Sequence, residues 1–140
     1  MDVQEIRKLD AYLKRLFGNP RIRVVPKNNE SAEVFVGEER AGVLVVDDDD
    51  DERSYNFEMK ITLGDATTTA PDLKQLDAYL KRKFDNERIR VVARARKKDS
   101  AEVYVGDEYI AVLFFDEKDP RSSFLELPIL GLDLEELRLP

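Results

Sequence analysis

Between Lys81 and Lys98 the chain carries nine lysines and arginines against only Asp85 and Glu87, a local charge of +7. Alternate side chains of an extended strand share a face. A strand from Arg88 to Arg96 therefore sets Arg88, Arg90, Val92, Arg94 and Arg96 in one row, with Ile89, Val91, Ala93 and Ala95 behind it. Lys97 and Lys98 prolong the row. Guanidinium and ammonium groups at this spacing suit phosphates tracked along a nucleic acid, or carboxylates on an acidic protein surface. The plainer reading is a solvated sheet face, its arginines paired across strands with Glu102 and, at the matching first-half positions, Arg21 and Arg23 paired with Glu33. No row of aromatics interleaves the stripe, and the net charge of −7 opposes nucleic acid. Arg88, Arg90, Arg94, Arg96, Lys97 and Lys98 are the candidate partner-binding residues.

Asp47 to Glu52 form the opposite feature, six consecutive acids. Carboxylate oxygens attract hard cations such as calcium. The run lacks the central glycine and spaced bidentate glutamate of an EF-hand loop, so a solvated turn that blunts a sheet edge is the simpler expectation. The chain has no cysteine and no histidine, which removes disulfides, the usual zinc ligand sets, thiol nucleophiles and histidine acid/base relays. It also lacks a phosphate-cradling glycine loop and a nucleophile elbow. Thirty acids make chance carboxylate pairs inevitable, and nothing in the sequence marks one pair as special. The expectation is a protein that is not an enzyme, with no cofactor, no catalytic residues and no bound metal. Asp2 and Glu5 interrupt any basic leader, and the apolar runs 41–46 and 109–115 are too short to span a bilayer. A soluble, cytoplasmic, disulfide-free protein is expected, with no membrane association.

The elements that must position these charges occur twice. LDAYLKRLFGNPRIRVV, Leu9 to Val25, returns as LDAYLKRKFDNERIRVV, Leu76 to Val92, with 14 of 17 positions identical. SAEVFVGEERAGVLVVD, Ser31 to Asp47, returns as SAEVYVGDEYIAVLFFD, Ser100 to Asp116, with 10 of 17 identical, after a two-residue insertion. A third block aligns Phe57, Met59 and Ile61 with Leu125, Leu127 and Ile129. Residues 1–64 form one repeat, 65–71 a linker, and 72–140 a second repeat with a leucine-rich tail. Each repeat opens with an amphipathic helix, carried by Val3, Ile6, Leu9, Leu13, Leu16 and Phe17 in the first and by Leu73, Leu76, Leu80 and Phe84 in the second. Asp2 and Glu5 have capping-box spacing, and Gly18 suits the C-terminal cap.

Four strands follow in each copy: Arg21 to Val25, Ala32 to Val36, Arg40 to Asp47 and Tyr55 to Leu63, then Arg88 to Arg96, Ala101 to Val105, Tyr109 to Asp116 and Phe124 to Leu130. Short connections predict antiparallel meanders. The third strands read as apolar on both faces, through Val43 to Val46 and Val112 to Phe115, which predicts burial on both sides. The fold class is α+β: two tandem α-β-β-β-β repeats packed as a pseudo-twofold internal dimer within a monomeric chain. Tyr12 and Tyr79, just off each helix's apolar stripe, suit core-edge packing, and a short helix around Leu134 to Leu137 is expected to close the core with the tail leucines.

LDAYLKRLFGNPRIRVV, SAEVYVGDEYIAVLFFDE and SYNFEM at Ser54 to Met59 together resemble the short alphaproteobacterial proteins grouped as domain of unknown function 3126. Each copy looks like one member of that family, and the second departs where SSFLEL replaces the SYNF pattern. The resemblance implies a bacterial cytosolic setting and supplies no activity or functional residue. The function expected from the residues is a protein-interaction or adaptor module, in which duplication frees the arginine-rich second copy to bind one protein partner. The alternative is a nucleic-acid-binding regulator using the same stripe.

Overall fold

A computed structural model of the chain describes residues 1–49, 52–63, 72–119 and 121–135. The linker expected over 65–71, the middle of the acidic run and residues 136–140 of the tail lie outside the described residues. The elements are α1 (Val3–Phe17), β1 (Ile22–Asn28), β2 (Ser31–Val36), β3 (Glu39–Asp49), β4 (Glu52–Thr62), α2 (Leu73–Lys83), β5 (Ile89–Ala93), β6 (Ser100–Val105), β7 (Glu108–Phe115), β8 (Ser122–Leu130) and α3 (Gly131–Glu135). One helix followed by four antiparallel strands thus occurs twice, with the strands hydrogen-bonded in the order β1-β2-β3-β4 in the first repeat and β5-β6-β7-β8 in the second. Among the described residues no helix is long and apolar enough to cross a membrane.

The chain forms two compact units. The first comprises Met1–Glu58 and Pro128–Pro140, the second Met59–Leu127. In the first, Asp2 and Glu5 form the capping box and Gly18 takes the left-handed conformation at φ 60°. Leu9, Leu13 and Phe17 are buried with Ile22, Val24, Ala32, Val34, Leu44 and Phe57, and the rings of Phe17 and Phe57 meet edge to face at 6.4 Å. α3 packs against α1 and contributes Leu134, which is buried, so the C-terminal end of the chain helps to close this unit. That helix begins at Gly131, ahead of the expected Leu134 to Leu137, and it starts where Gly131 lies against the Arg53 carbonyl with no room for a Cβ. In the second unit Leu76, Leu80 and Phe84 are buried with Ile89, Ala101, Val103, Leu113, Leu125 and Leu127.

Each helix is stapled to the first strand of its repeat by an aspartate. Asp10 accepts a hydrogen bond from the Val24 backbone N–H at 3.0 Å, and Asp77 accepts one from Val91 at 3.0 Å. Lys14 and Lys81, one helical turn later, hold the two carboxylates in place as ion pairs. The repeated LDAYLK run is therefore structural: it supplies an acceptor for an N–H that an edge strand would otherwise leave unpaired. Asp77→Ala is expected to cost about 1–3 kcal/mol, and Asp77→Asn, which keeps an acceptor, less. Urea denaturation of the two variants checks this.

Two expectations are corrected. β5 ends at Ala93 and does not run to Arg96. The two-residue insertion has to be absorbed between β5 and β6, and the Arg94 side chain turns back to Ser100 Oγ at 3.0 Å. The third strands are buried on one face only. Leu44 and Leu113 are buried on the helix side, whereas Val43, Val45 and Val112 are half-buried on the outward side and Phe114 is exposed.

Candidate interaction surface

The basic stripe divides into three groups with different tasks. Arg90 donates from Nε and Nη2 to the Gly106 carbonyl at 3.1 and 2.8 Å, and its guanidinium lies 5.1 Å from the Tyr104 ring centroid. Arg23 repeats this in the first unit, with Gly37 at 3.1 and 2.9 Å and Phe35 at 5.2 Å. Arg88 and Arg21 lie over the same two glycines. A Cβ on Gly106 would sit 2.5 Å from Arg88 Nη2, and one on Gly37 2.4 Å from Arg21 Nη2. Both glycines adopt positive φ, 62° and 64°, which an L side chain disfavours. The RIRVV run and the following V-G turn are thus one arginine clamp around a hairpin, built twice, and Glu33 is paired with Arg40 at 3.6 Å instead of with Arg21 or Arg23.

Arg94 forms the second group. It is half-buried, reaches Glu102 at 4.0 Å and hydrogen-bonds Ser100. Arg96, Lys97 and Lys98 form the third, exposed on the loop between β5 and β6, and among the described residues no carboxylate pairs with them. The far end of that loop is fixed by the Phe115 N–H donating to the Asp99 carbonyl at 3.0 Å. Ser100 is the cross-strand partner of Phe114, which in turn faces Phe124.

This register reveals a second feature on the outward face of the second unit. Tyr109, Phe114 and Phe124 are 52%, 39% and 40% exposed. Tyr104 stacks on Tyr109 at 5.6 Å, so Arg90, Tyr104 and Tyr109 make a continuous stack across β5, β6 and β7. Half-buried Val112 lies two residues from Phe114, and the Lys60 ammonium sits 6.0 Å from the Phe124 ring centroid. In the first unit the positions aligned with Tyr109, Phe114 and Phe124 hold Arg40, Val45 and Asn56. Reading the basic residues alone missed this face. Its signal lay in the alignment of the two copies, where three outward positions change from polar or small to aromatic.

A third cluster joins Glu5, Arg53 and Tyr55 in the first unit. The Glu5 carboxylate accepts from Arg53 Nε and from the Tyr55 hydroxyl, both at 2.6 Å. Burial works against the charge on Glu5, but the hydrogen bonds from Tyr55 and Arg53 outweigh it and hold the carboxyl below its ordinary value. Burial, and then the hydrogen bond to Glu5, push Tyr55 up to about 12. A phenol held neutral, with its residue only 3% exposed, serves as a latch between α1 and β4 and is placed poorly for acid/base work. Tyr55 is raised in the folded state, so its stabilisation is present below pH 10 and fades as pH rises toward 12. Glu5 is lowered, so its contribution is present above the usual carboxylate range and fades as pH falls through and below it. Tyr55→Phe is expected to remove a phenolate titrating well above pH 10 from the absorbance titration of the tyrosines and to flatten the stability loss above pH 10. Tyr12 and Tyr79 are half-buried, and Tyr79 lies under Arg82 at 5.8 Å. Among the described residues no group of acids is arranged to hold a metal ion.

The two repeats, each a helix-clamped meander with the same aspartate staple and arginine clamp, correspond to two family matches. The family described as Protein of unknown function (DUF3126) matches residues 5–64 and again residues 72–133. The chain belongs to the DUF3126 family. No curated protein and no solved structure matches it. The two DUF3126 segments share the staple and clamp residues, Asp10, Lys14, Arg21, Arg23 and Gly37 in one and Asp77, Lys81, Arg88, Arg90 and Gly106 in the other. They differ at the outward aromatic positions and in the loop after the first strand, so those are the features that distinguish one DUF3126 repeat from the other on this face.

Proposed function

We propose that the chain is a non-enzymatic protein-interaction module whose binding surface is the outward sheet face of its second unit. The observation that carries this reading is the exposure of Tyr109, Phe114 and Phe124 at positions where the first repeat has Arg40, Val45 and Asn56. Exposed aromatics on one sheet face are costly to leave in water and are the side chains that dominate binding energy at protein interfaces. Strand addition at the edge is a poorer use of this unit. The outward N–H of Val91 on β5 is already taken by Asp77, and that of Ile89 donates to the Asn86 carbonyl.

A nucleic-acid-binding regulator is the second reading, favoured by the exposed charges of Arg96, Lys97 and Lys98, which pair with no carboxylate among the described residues, next to the strand end that carries Phe114. Affinity capture from a lysate of the cells that make the protein separates the two. The comparison is the wild-type chain against the triple change Tyr109→Arg, Phe114→Val and Phe124→Asn, with and without nuclease, at low and moderate salt. The interaction reading expects a stoichiometric protein partner that survives nuclease, tolerates salt and is lost with the triple change. Identical capture by both chains contradicts it, and nuclease-sensitive material that falls away steeply with salt supports the regulator.

A further inference from the structure

Resting on the reading of that face as the binding surface, we propose that its ligand is a short acidic segment of a partner protein, with an aromatic or aliphatic anchor on the Phe114–Phe124 pair and its carboxylates on Arg96, Lys97 and Lys98. Two independent changes converge on one end of the second unit. The segment from the end of the first strand to the start of the second reads Pro-Lys-Asn-Asn-Glu at 26–30, mostly within β1 and with no net charge, and Ala-Arg-Ala-Arg-Lys-Lys-Asp at 93–99, mostly loop and with a net charge of +3. At the same end, Val45 and Asn56 of the first copy are matched by Phe114 and Phe124. The apolar anchor and the surplus charge sit together through the Asp99 to Phe115 hydrogen bond and the Ser100 to Phe114 register. Lys60, beside Phe124, adds a cation on the far side of the pair.

Charge complementarity selects the ligand class. Arg94 is already matched by Glu102, and Arg90 by the Gly106 carbonyl, which leaves the loop cations as the surplus an incoming ligand can neutralise. Glu126 stands exposed on the same outward face and repels a continuous phosphate backbone, while a peptide can place a few carboxylates and avoid it. At Tyr104 itself a base finds little free ring surface, because the ring lies between Arg90 and Tyr109.

The test is a random-peptide display selection on the full wild-type chain, counter-selected on the Phe114→Val/Phe124→Asn variant. Enriched peptides are then measured on a folded variant carrying Arg96→Gln, Lys97→Gln and Lys98→Gln. The expected result is enrichment of peptides that combine Asp or Glu with Phe, Tyr, Leu or Trp, and a loss of affinity of about tenfold or more on the glutamine variant. Apolar peptides without acids, or acidic ones indifferent to the glutamine changes, overturn the inference and leave the aromatic face standing as the binding surface. No peptide that separates wild type from the counter-selection variant overturns both. An oligothymidylate that binds the wild-type chain more tightly than the selected peptides, and loses affinity on the glutamine variant, overturns the inference in favour of nucleic acid.

Discussion

With its partner in hand, the chain is expected to lose about tenfold to thirtyfold in affinity on Phe114→Val and a similar factor on Phe124→Asn, and more than a hundredfold on both together. The two side chains face each other across β7 and β8 and are 39% and 40% exposed, so each already has one side packed and presents the other. A half-packed aromatic loses little conformational freedom on binding and gains a large desolvated area, which is why such residues dominate interface energetics. The same exposure makes the changes mild for folding, within about 0.5 kcal/mol of wild type. Arg90→Ala should behave in the opposite way. It removes two hydrogen bonds to the Gly106 carbonyl and the guanidinium over Tyr104, costing about 1 kcal/mol of stability while changing affinity little. Titration calorimetry with the partner, together with urea denaturation, reads both effects. Equal affinity loss from Arg90→Ala and Phe114→Val at unchanged stability would return the site to the arginine row.

Gly42→Ala is expected to destabilise the chain by about 1–3 kcal/mol, and much of that loss should depend on Phe57. A Cβ on Gly42 would lie 2.4 Å from the Glu58 carbonyl oxygen and 2.7 Å from Phe57 Cε1, so neither backbone nor ring has room for a methyl group. The second repeat solves the same position differently. Its aligned residues are Ala111 and Leu125, both buried. The two copies thus carry alternative packings, glycine under phenylalanine and alanine under leucine. In a double-mutant cycle by urea denaturation, Gly42→Ala and Phe57→Leu should couple favourably by about 1 kcal/mol or more. Simple additivity would mean that the clash is relieved by movement of β4 and that the exchange between repeats is incidental.

Much of the architecture was legible because the chain states it twice. The helices follow from spacing and capping residues, and the hairpins from the glycines that Arg21 and Arg88 now cover. Strand ends were harder: alternation continues from Arg88 through Arg96, yet the two inserted residues need a loop, and Arg94 finds Ser100 and Glu102 once β5 has ended. The third strands misled for a related reason. Val43 to Val46 and Val112 to Phe115 are apolar without alternation, which suits a strand buried on both faces, but in the second unit the outward half of that apolarity stays open as Phe114. Composition could locate the basic stripe but could not tell a clamp from a free cation, because that depends on which carbonyl each guanidinium meets. That Leu134, far along the chain, is buried in the first unit carries no local signal at all.

The most direct test places a photo-crosslinking benzoylphenylalanine at Phe114 of the full chain, and separately at its first-repeat counterpart Val45, in the cells that make the protein. A surface freed by divergence of the second copy predicts one discrete protein adduct from position 114 and none from position 45. Adducts of equal yield from both positions, or adducts to nucleic acid from position 114, would contradict it.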